Sequence, residues 1–176
     1  NWCRSDRELG NIVTVFPLVD AVEPEINWLS REDQMKLLAV TDKEDLPIIL
    51  FLMLSGIRPG EARALKCADV DLDKDFIKVH ATWSGNVYRN RRKGRGAKGY
   101  LIPIHNEIRS CIFHRVKNSL PGAWLFFNPR TGGPITSNRL HIVWNRIKER
   151  SGITYRLRLY DATRHSVVSQ LLSKGE

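Results

Sequence analysis

Eight residues near the middle of this 176-residue chain, Arg92-Lys93-Gly94-Arg95-Gly96-Ala97-Lys98-Gly99, have the make-up of a phosphate-contacting segment. The glycines let the backbone come close to an anion while the side chains neutralise it. They lie between Asp75 and Glu107, a stretch with no acid and seven bases: Lys78, Arg89, Arg91, Arg92, Lys93, Arg95 and Lys98. A second basic run, Arg139, Arg146, Lys148, Arg150, Arg156 and Arg158, is interrupted only by Glu149, whereas Asp20 to Asp45 is acidic. Two basic segments on an otherwise acidic to neutral chain point to a surface built for a polyanion, nucleic acid above all. A solvated charged loop is the bland alternative, and the interleaved glycines weigh against it. Contacts from about six of these cations to phosphates would give a log–log salt slope near −5, at roughly −0.9 per contact. Arg58 is a further candidate. Pro59 suits the first position of a helix, and a cation at such a helix mouth is costly unless an anion sits beside it.

Scattered side chains of this kind need a folded scaffold, and the composition supplies one. The net charge is +9, and 42% of the residues are hydrophobic, enough for a core without disulfides. Disorder and low-complexity classes are excluded. Cys3, Cys67 and Cys111 are odd in number and form no CxxC pair, which suits a reducing, cytoplasmic setting and neither a disulfide framework nor a zinc module. The longest apolar stretch, Leu46 to Leu54, contains Pro47 and is far shorter than the roughly 20 residues of a membrane span. His80, His105, His114 and His141 show no metal-ligand spacing.

The elements that would carry the candidates can be outlined. Ser30-Arg31-Glu32-Asp33 is close to a capping box and opens a helix. A buried helix over about residues 44–55 ends at Gly56, and a new helix is expected from Pro59 through Leu65. Asp69 to Asp73 reads as a turn. Strands are expected over 76–82, 87–92 and 100–104, the first two joined by Gly85-Asn86 and the three forming a meander with the basic turn at its second hairpin. Pro103 places the third strand at an edge. Helices over about 107–118, 137–150 and 162–173 complete a mainly helical α+β domain that begins near Trp28.

Taken in order, Gly56-Ile57-Arg58-Pro59-Gly60-Glu61-Ala62, Leu65, Asp69-Val70-Asp71, a basic hairpin leading into Ile102-Pro103-Ile104, and Asp161-Ala162-Thr163-Arg164-His165-Ser166 resemble the catalytic domain of tyrosine recombinases of the phage-integrase type. The resemblance covers Trp28 to the C-terminus. It implies a DNA breaking-rejoining fold and metal-free, cofactor-free cleavage of double-stranded DNA through a 3′-phosphotyrosine. Arg58 and Arg164 would then hold two non-bridging phosphate oxygens, and a hairpin lysine, Lys93 or alternatively Lys98, would protonate the leaving 5′-oxygen. Asp161 stands where the family usually has His and would be a fourth catalytic residue, accepting a proton from the attacking hydroxyl or orienting a neighbour, with helix capping as its bland reading; His165 and Glu61 would give support, and Cys67 replaces a common Trp. Arg89, Arg91, Arg92, Arg95 and Lys98 would bind DNA.

The family's nucleophilic tyrosine lies some thirty residues beyond the second arginine, past Glu176, and Tyr155 and Tyr160 match no nucleophile position. The resemblance therefore implies a catalytic domain, 28–176, cut short of its C-terminal segment, with 1–27 as the linker from an N-terminal DNA-clamping domain. Such a chain would bind DNA without cleaving it. The full protein would form the family's tetramer on DNA and work in a bacterial or phage-infected cytoplasm at the nucleoid. The alternatives are an inactive DNA-binding relative and an RNA-binding domain, whose hallmark would be base-stacking aromatics such as Trp83 and Tyr88 on the sheet.

Overall fold

A computed structural model describes residues 29–91 and 98–165. The first helix, α1 (Arg31–Ala39), is started by Ser30, whose Oγ accepts the Asp33 backbone N–H at 3.1 Å. Next comes α2 (Leu46–Ser55), apolar on every side and buried at Ile48, Ile49, Phe51, Leu52 and Met53. A helix without a polar face belongs inside a domain, and α1, α3 (Pro59–Ala62), α4 (Asn106–Lys117) and a π-helical turn at Asp161–His165 all pack on it. Gly56, at φ 60°, stops α2 in the left-handed conformation that glycine adopts without a Cβ penalty.

The strands are β1 (Val70–Asp71), β2 (Phe76–Val79), β3 (Thr82–Ser84), β4 (Val87–Arg89) and β5 (Tyr100–Pro103). A three-stranded antiparallel sheet is present, but its order is β1-β2-β5, and β3 and β4 form a separate two-stranded hairpin. The expected meander is thus corrected: the basic segment connects the hairpin to the sheet instead of closing a turn between paired strands. Burial is the reason. Ile77 faces Ile102 across β2 and β5, and burying both with Val79 requires that direct pairing. Gly85, at φ 58°, closes the hairpin at the Gly85-Asn86 turn. Pro103 does lie on an edge strand.

A helical repeat of apolar residues, Leu140, Val143, Trp144 and Ile147, buries one face of α5 (Ser137–Ser151), and Trp144 Nε1 donates to the Leu157 carbonyl at 3.0 Å. The flank of α5 beside that face corrects a second expectation. Arg139 donates to Asp45 at 2.6 Å and Arg146 to Asp45 at 2.8 Å, while Arg146 and Arg150 reach Asp42 at 2.9 and 2.8 Å. These members of the second basic run face the acidic turn between α1 and α2. They are a clamp within the fold and not part of a polyanion surface.

Two outcomes follow for the clamp. Asp45 is buried to 3% side-chain exposure, so Asp45→Ala strands its arginines and is expected to cost about 2–3 kcal/mol in urea melts. That is below the roughly 3–5 of a fully buried pair, because the arginines keep partial contact with water. The Asp42 carboxyl is held below its ordinary range, chiefly by the hydrogen bond from Arg150, against a smaller opposing effect of burial and with help from Arg146. A depressed carboxylate stabilises fully above its unfolded value, about 3.9, and the stabilisation is lost as the pH falls through the folded value. The thermal midpoint should therefore drop on acidification below about pH 4, and by less in Arg150→Ala.

Candidate functional site

Past Gly56 the chain leaves α2, and Arg58 takes an extended conformation immediately before α3. The centre of this region is Glu61, a carboxylate buried to 1% exposure. Its Oε2 accepts the Arg58 backbone N–H and the Tyr100 hydroxyl, each at 3.2 Å, and the Arg58 guanidinium lies 3.7 Å from Oε1. A buried carboxylate is tolerated only when charge and hydrogen bonds compensate it, and here one cation and two donors do so. The helix after Arg58 is a single turn, Pro59–Ala62, shorter than the expected span to Leu65. The dipole argument for an external anion fails accordingly: the balancing charge for Arg58 comes from within, and the guanidinium stays 35% exposed.

Gly60 sets how closely this turn meets the hairpin. A Cβ there would stand 2.5 Å from the Trp83 carbonyl oxygen and 3.0 Å from Thr82 Oγ1, so no larger residue fits without moving backbone. Lys98 comes two residues before Tyr100, whose hydroxyl is on Glu61. Arg89 is the last residue of the hairpin and Arg91 follows it, and these three cations are exposed. Arg92, Lys93 and Arg95 lie outside the described residues.

Arg164 is carried by the π-helical turn, where Ala162 and Thr163 are fully buried and Thr163 Oγ1 donates back to the Leu159 carbonyl at 2.9 Å. That turn packs on α2, so the two candidate arginines share one support: Arg58 continues from the C-terminal end of α2, and Arg164 rests against it. Only the backbone of His165 is described. Asp161 is engaged by Arg158, Nε to Oδ2 at 2.6 Å and Nη2 to Oδ1 at 3.2 Å. The fold thus adds a partner that the capping reading of Asp161 did not include. The i, i+3 spacing of Arg158 and Asp161 was the available signal.

The remaining candidates have structural partners. His80 Nε2 pairs with Asp69 Oδ1 at 2.8 Å, and Asp69 Oδ2 accepts the Lys66 N–H. Cys67 is buried, which pushes its thiol up. Tyr155 donates to Asp33 at 3.2 Å. Trp83, Tyr88 and Trp124 meet one another in edge-on and tilted contacts, ring centroids 5.5 to 5.8 Å apart, so the rings that would stack bases are engaged in a half-buried cluster of their own.

Gly60→Ala is expected to destabilise the domain by about 1–3 kcal/mol through overpacking against the Trp83 carbonyl. Thermal melts check this, and an unchanged midpoint would show that α3 and the hairpin are not in fixed contact.

Comparison with known proteins agrees with this geometry. The model of the phage integrase family matches residues 27–176. The tyrosine recombinase XerC of Bacillus subtilis (strain 168) is 28% identical over 131 residues, covering 74% of this chain and 41% of the relative. XerA of Thermococcus kodakarensis is 37% identical over 98 residues, covering 52% and 30%. The chain therefore spans less than half the length of these curated relatives. In fold it is similar to the Tn1549 transposon integrase in complex with transposon right end DNA, at a TM-score of 0.72 and 19% identity over 90% of this chain and 57% of that one. The XerA recombinase crystal structure gives 0.66 at 22%, over 85% and 51%. With its two arginine-bearing turns set on a common buried helix and the family model matched over residues 27–176, the chain belongs to the phage integrase family of tyrosine recombinases.

Proposed function

We propose that this chain is the DNA-binding and phosphate-activating core of a site-specific recombinase that acts on double-stranded DNA. The observation that carries the reading is the shared support of Arg58 and Arg164 on α2, with Arg58 held half-exposed by a buried Glu61. Tyr100 on Glu61 and Gly60 on Trp83 bring the exposed cations Arg89, Arg91 and Lys98 into the same region.

In the reaction, a tyrosine hydroxyl attacks a backbone phosphorus. The new O–P bond forms as the P–O5′ bond breaks, leaving a 3′-phosphotyrosine, and the departing 5′-oxygen takes a proton. Charge gathers on the two non-bridging oxygens, and a guanidinium can present two parallel N–H donors to them where an ammonium cannot. Arg58 and Arg164 fill that role, each contributing about 2.7–4 kcal/mol of transition-state stabilisation by analogy with an oxyanion-hole donor. Lys93 or Lys98 supplies the proton, and Arg92 and Arg95 join Arg89 and Arg91 on the DNA backbone. Tyr100 and Tyr155 commit their hydroxyls to Glu61 and Asp33, so neither is the nucleophile in this reading. A tyrosine outside residues 1–176 attacks, residues 1–27 link to a DNA-clamping domain, and the assembled protein acts as a tetramer on DNA.

One observation favours a second reading, a DNA-binding relative without cleavage activity. Both carboxylate oxygens of Asp161, at the position where the family usually has His, are occupied by Arg158. In that reading Asp161 orients Arg158 within the turn in place of serving an attacking hydroxyl.

The chain should bind duplex DNA with a log–log salt slope near −5, and absence of salt-dependent affinity would contradict both readings. A longer form that includes the tyrosine should form a covalent adduct with nicked DNA, lost in Arg164→Ala. Binding without an adduct would support the inactive relative, and full cleavage by Arg164→Ala would show the site to be misassigned.

A further inference from the structure

Among the described residues, the hairpin that leads into the basic connection has no ladder partner in the main sheet: β3 pairs with β4. Two-stranded hairpins are marginal by themselves, so side-chain packing must decide where this one points. Trp83 of β3 and Tyr88 of β4 are cross-strand partners, and both pack on Trp124, from a loop remote in sequence. Trp124 is fastened in turn. It forms an antiparallel bridge with Lys66, and the flanking backbone bonds run from Cys67 N–H to the Ala123 carbonyl and from Leu125 N–H to the Leu65 carbonyl, each at 2.9 Å. The Lys66 ammonium lies 5.6 Å from the Tyr88 ring centroid and 5.3 Å from that of Trp124. On the other side Arg63, itself buried, lies 5.9 Å from the Trp83 ring centroid and donates to the carbonyls of Gly85 at the hairpin turn and Ile135. The hairpin is therefore held to the residues directly after α3, the helix that begins beside Arg58.

We propose that Trp124, assisted by Lys66, is a positioning residue for DNA engagement. By fixing the β3–β4 hairpin to the segment that follows α3, it holds Arg89 and Arg91 in one register with Arg58, so that the three meet the same DNA backbone at once. The proposal rests on the DNA-binding reading above, while the hairpin lock itself does not. The cluster is read as a lock because its rings are half-buried against one another, with Lys66 and Arg63 over them.

The test compares the wild-type chain with Trp124→Leu and the ring-retaining Trp124→Phe, using a duplex oligonucleotide across a salt series and amide hydrogen exchange without DNA. Trp124→Leu should bind with a salt slope shallower by about 2, the loss of roughly two phosphate contacts at 0.9 each. Hairpin amides from Thr82 to Arg89 should exchange at least about tenfold faster, while α2 and α5 keep wild-type protection. Trp124→Phe should restore both. A wild-type slope in Trp124→Leu, or faster exchange spread equally into α2 and α5, overturns the proposal. Should Trp124→Leu fail to fold, Tyr88→Leu removes a ring from the hairpin side and is held to the same two outcomes. If the wild-type chain shows no salt-dependent DNA affinity, the functional reading fails, and unchanged hairpin exchange would separately overturn the lock.

Discussion

A carboxylate in an apolar interior must be compensated or it unfolds what surrounds it, and Glu61 is where this domain meets that constraint. Its compensation comes from three directions: the Arg58 backbone, the Arg58 guanidinium and the Tyr100 hydroxyl. The group that makes Glu61 tolerable is thereby the same guanidinium that stays 35% exposed and is proposed to hold a phosphate. Because Tyr100 opens β5, the same carboxylate ties the strand after the basic connection to the turn that carries Arg58. Nearby, the Trp83 carbonyl lies so close to Gly60 that only glycine is accommodated, which brings the hairpin before that connection to the same turn.

The positive charge of the chain divides by partner. Arg139, Arg146 and Arg150 on α5 meet Asp42 and Asp45, so the acidic segment and the second basic run neutralise each other across the fold. Arg89, Arg91 and Lys98 remain exposed around the basic connection. The clamp joins α5 to the turn that starts α2, and α2 bears the turns of both candidate arginines. Internal pairing thus steadies the scaffold, while the exposed cations give this side of the fold its positive charge.

Features encoded within a few residues were legible before the structure. Ser30 capping α1, Gly56 in the left-handed conformation, the Gly85-Asn86 turn and the edge position of Pro103 each follow from local stereochemistry. Glu61 was recognisable as a brace because it lies one helical turn from Arg58. Pairings decided at long range were not legible. β2 chose β5 over the nearer hairpin strand because Ile77, Val79 and Ile102 must be buried together. The arginines of α5 meet acids 94 to 108 residues away, and no local pattern announces that. Of the candidate site, Arg58 and Arg164 are singled out by motif order, whereas Tyr100 on Glu61 and the Lys66–Trp124 bridge needed the tertiary fold. The expected helix from Pro59 to Leu65 shrank to one turn, with its second half given over to seating Arg63 and Leu65 against Ile135 and Leu125.

The central claim is that Arg58 and Arg164 grip one phosphate. A double-mutant cycle on duplex DNA affinity, with Arg58→Ala, Arg164→Ala and the combined variant at fixed salt, addresses it most directly. Forks sharing a phosphate are coupled, so the double variant should lose less than the sum of the singles by about 1 kcal/mol or more. Additivity within about 0.3–0.5 kcal/mol would mean that the two arginines act on separate groups, and would contradict the account.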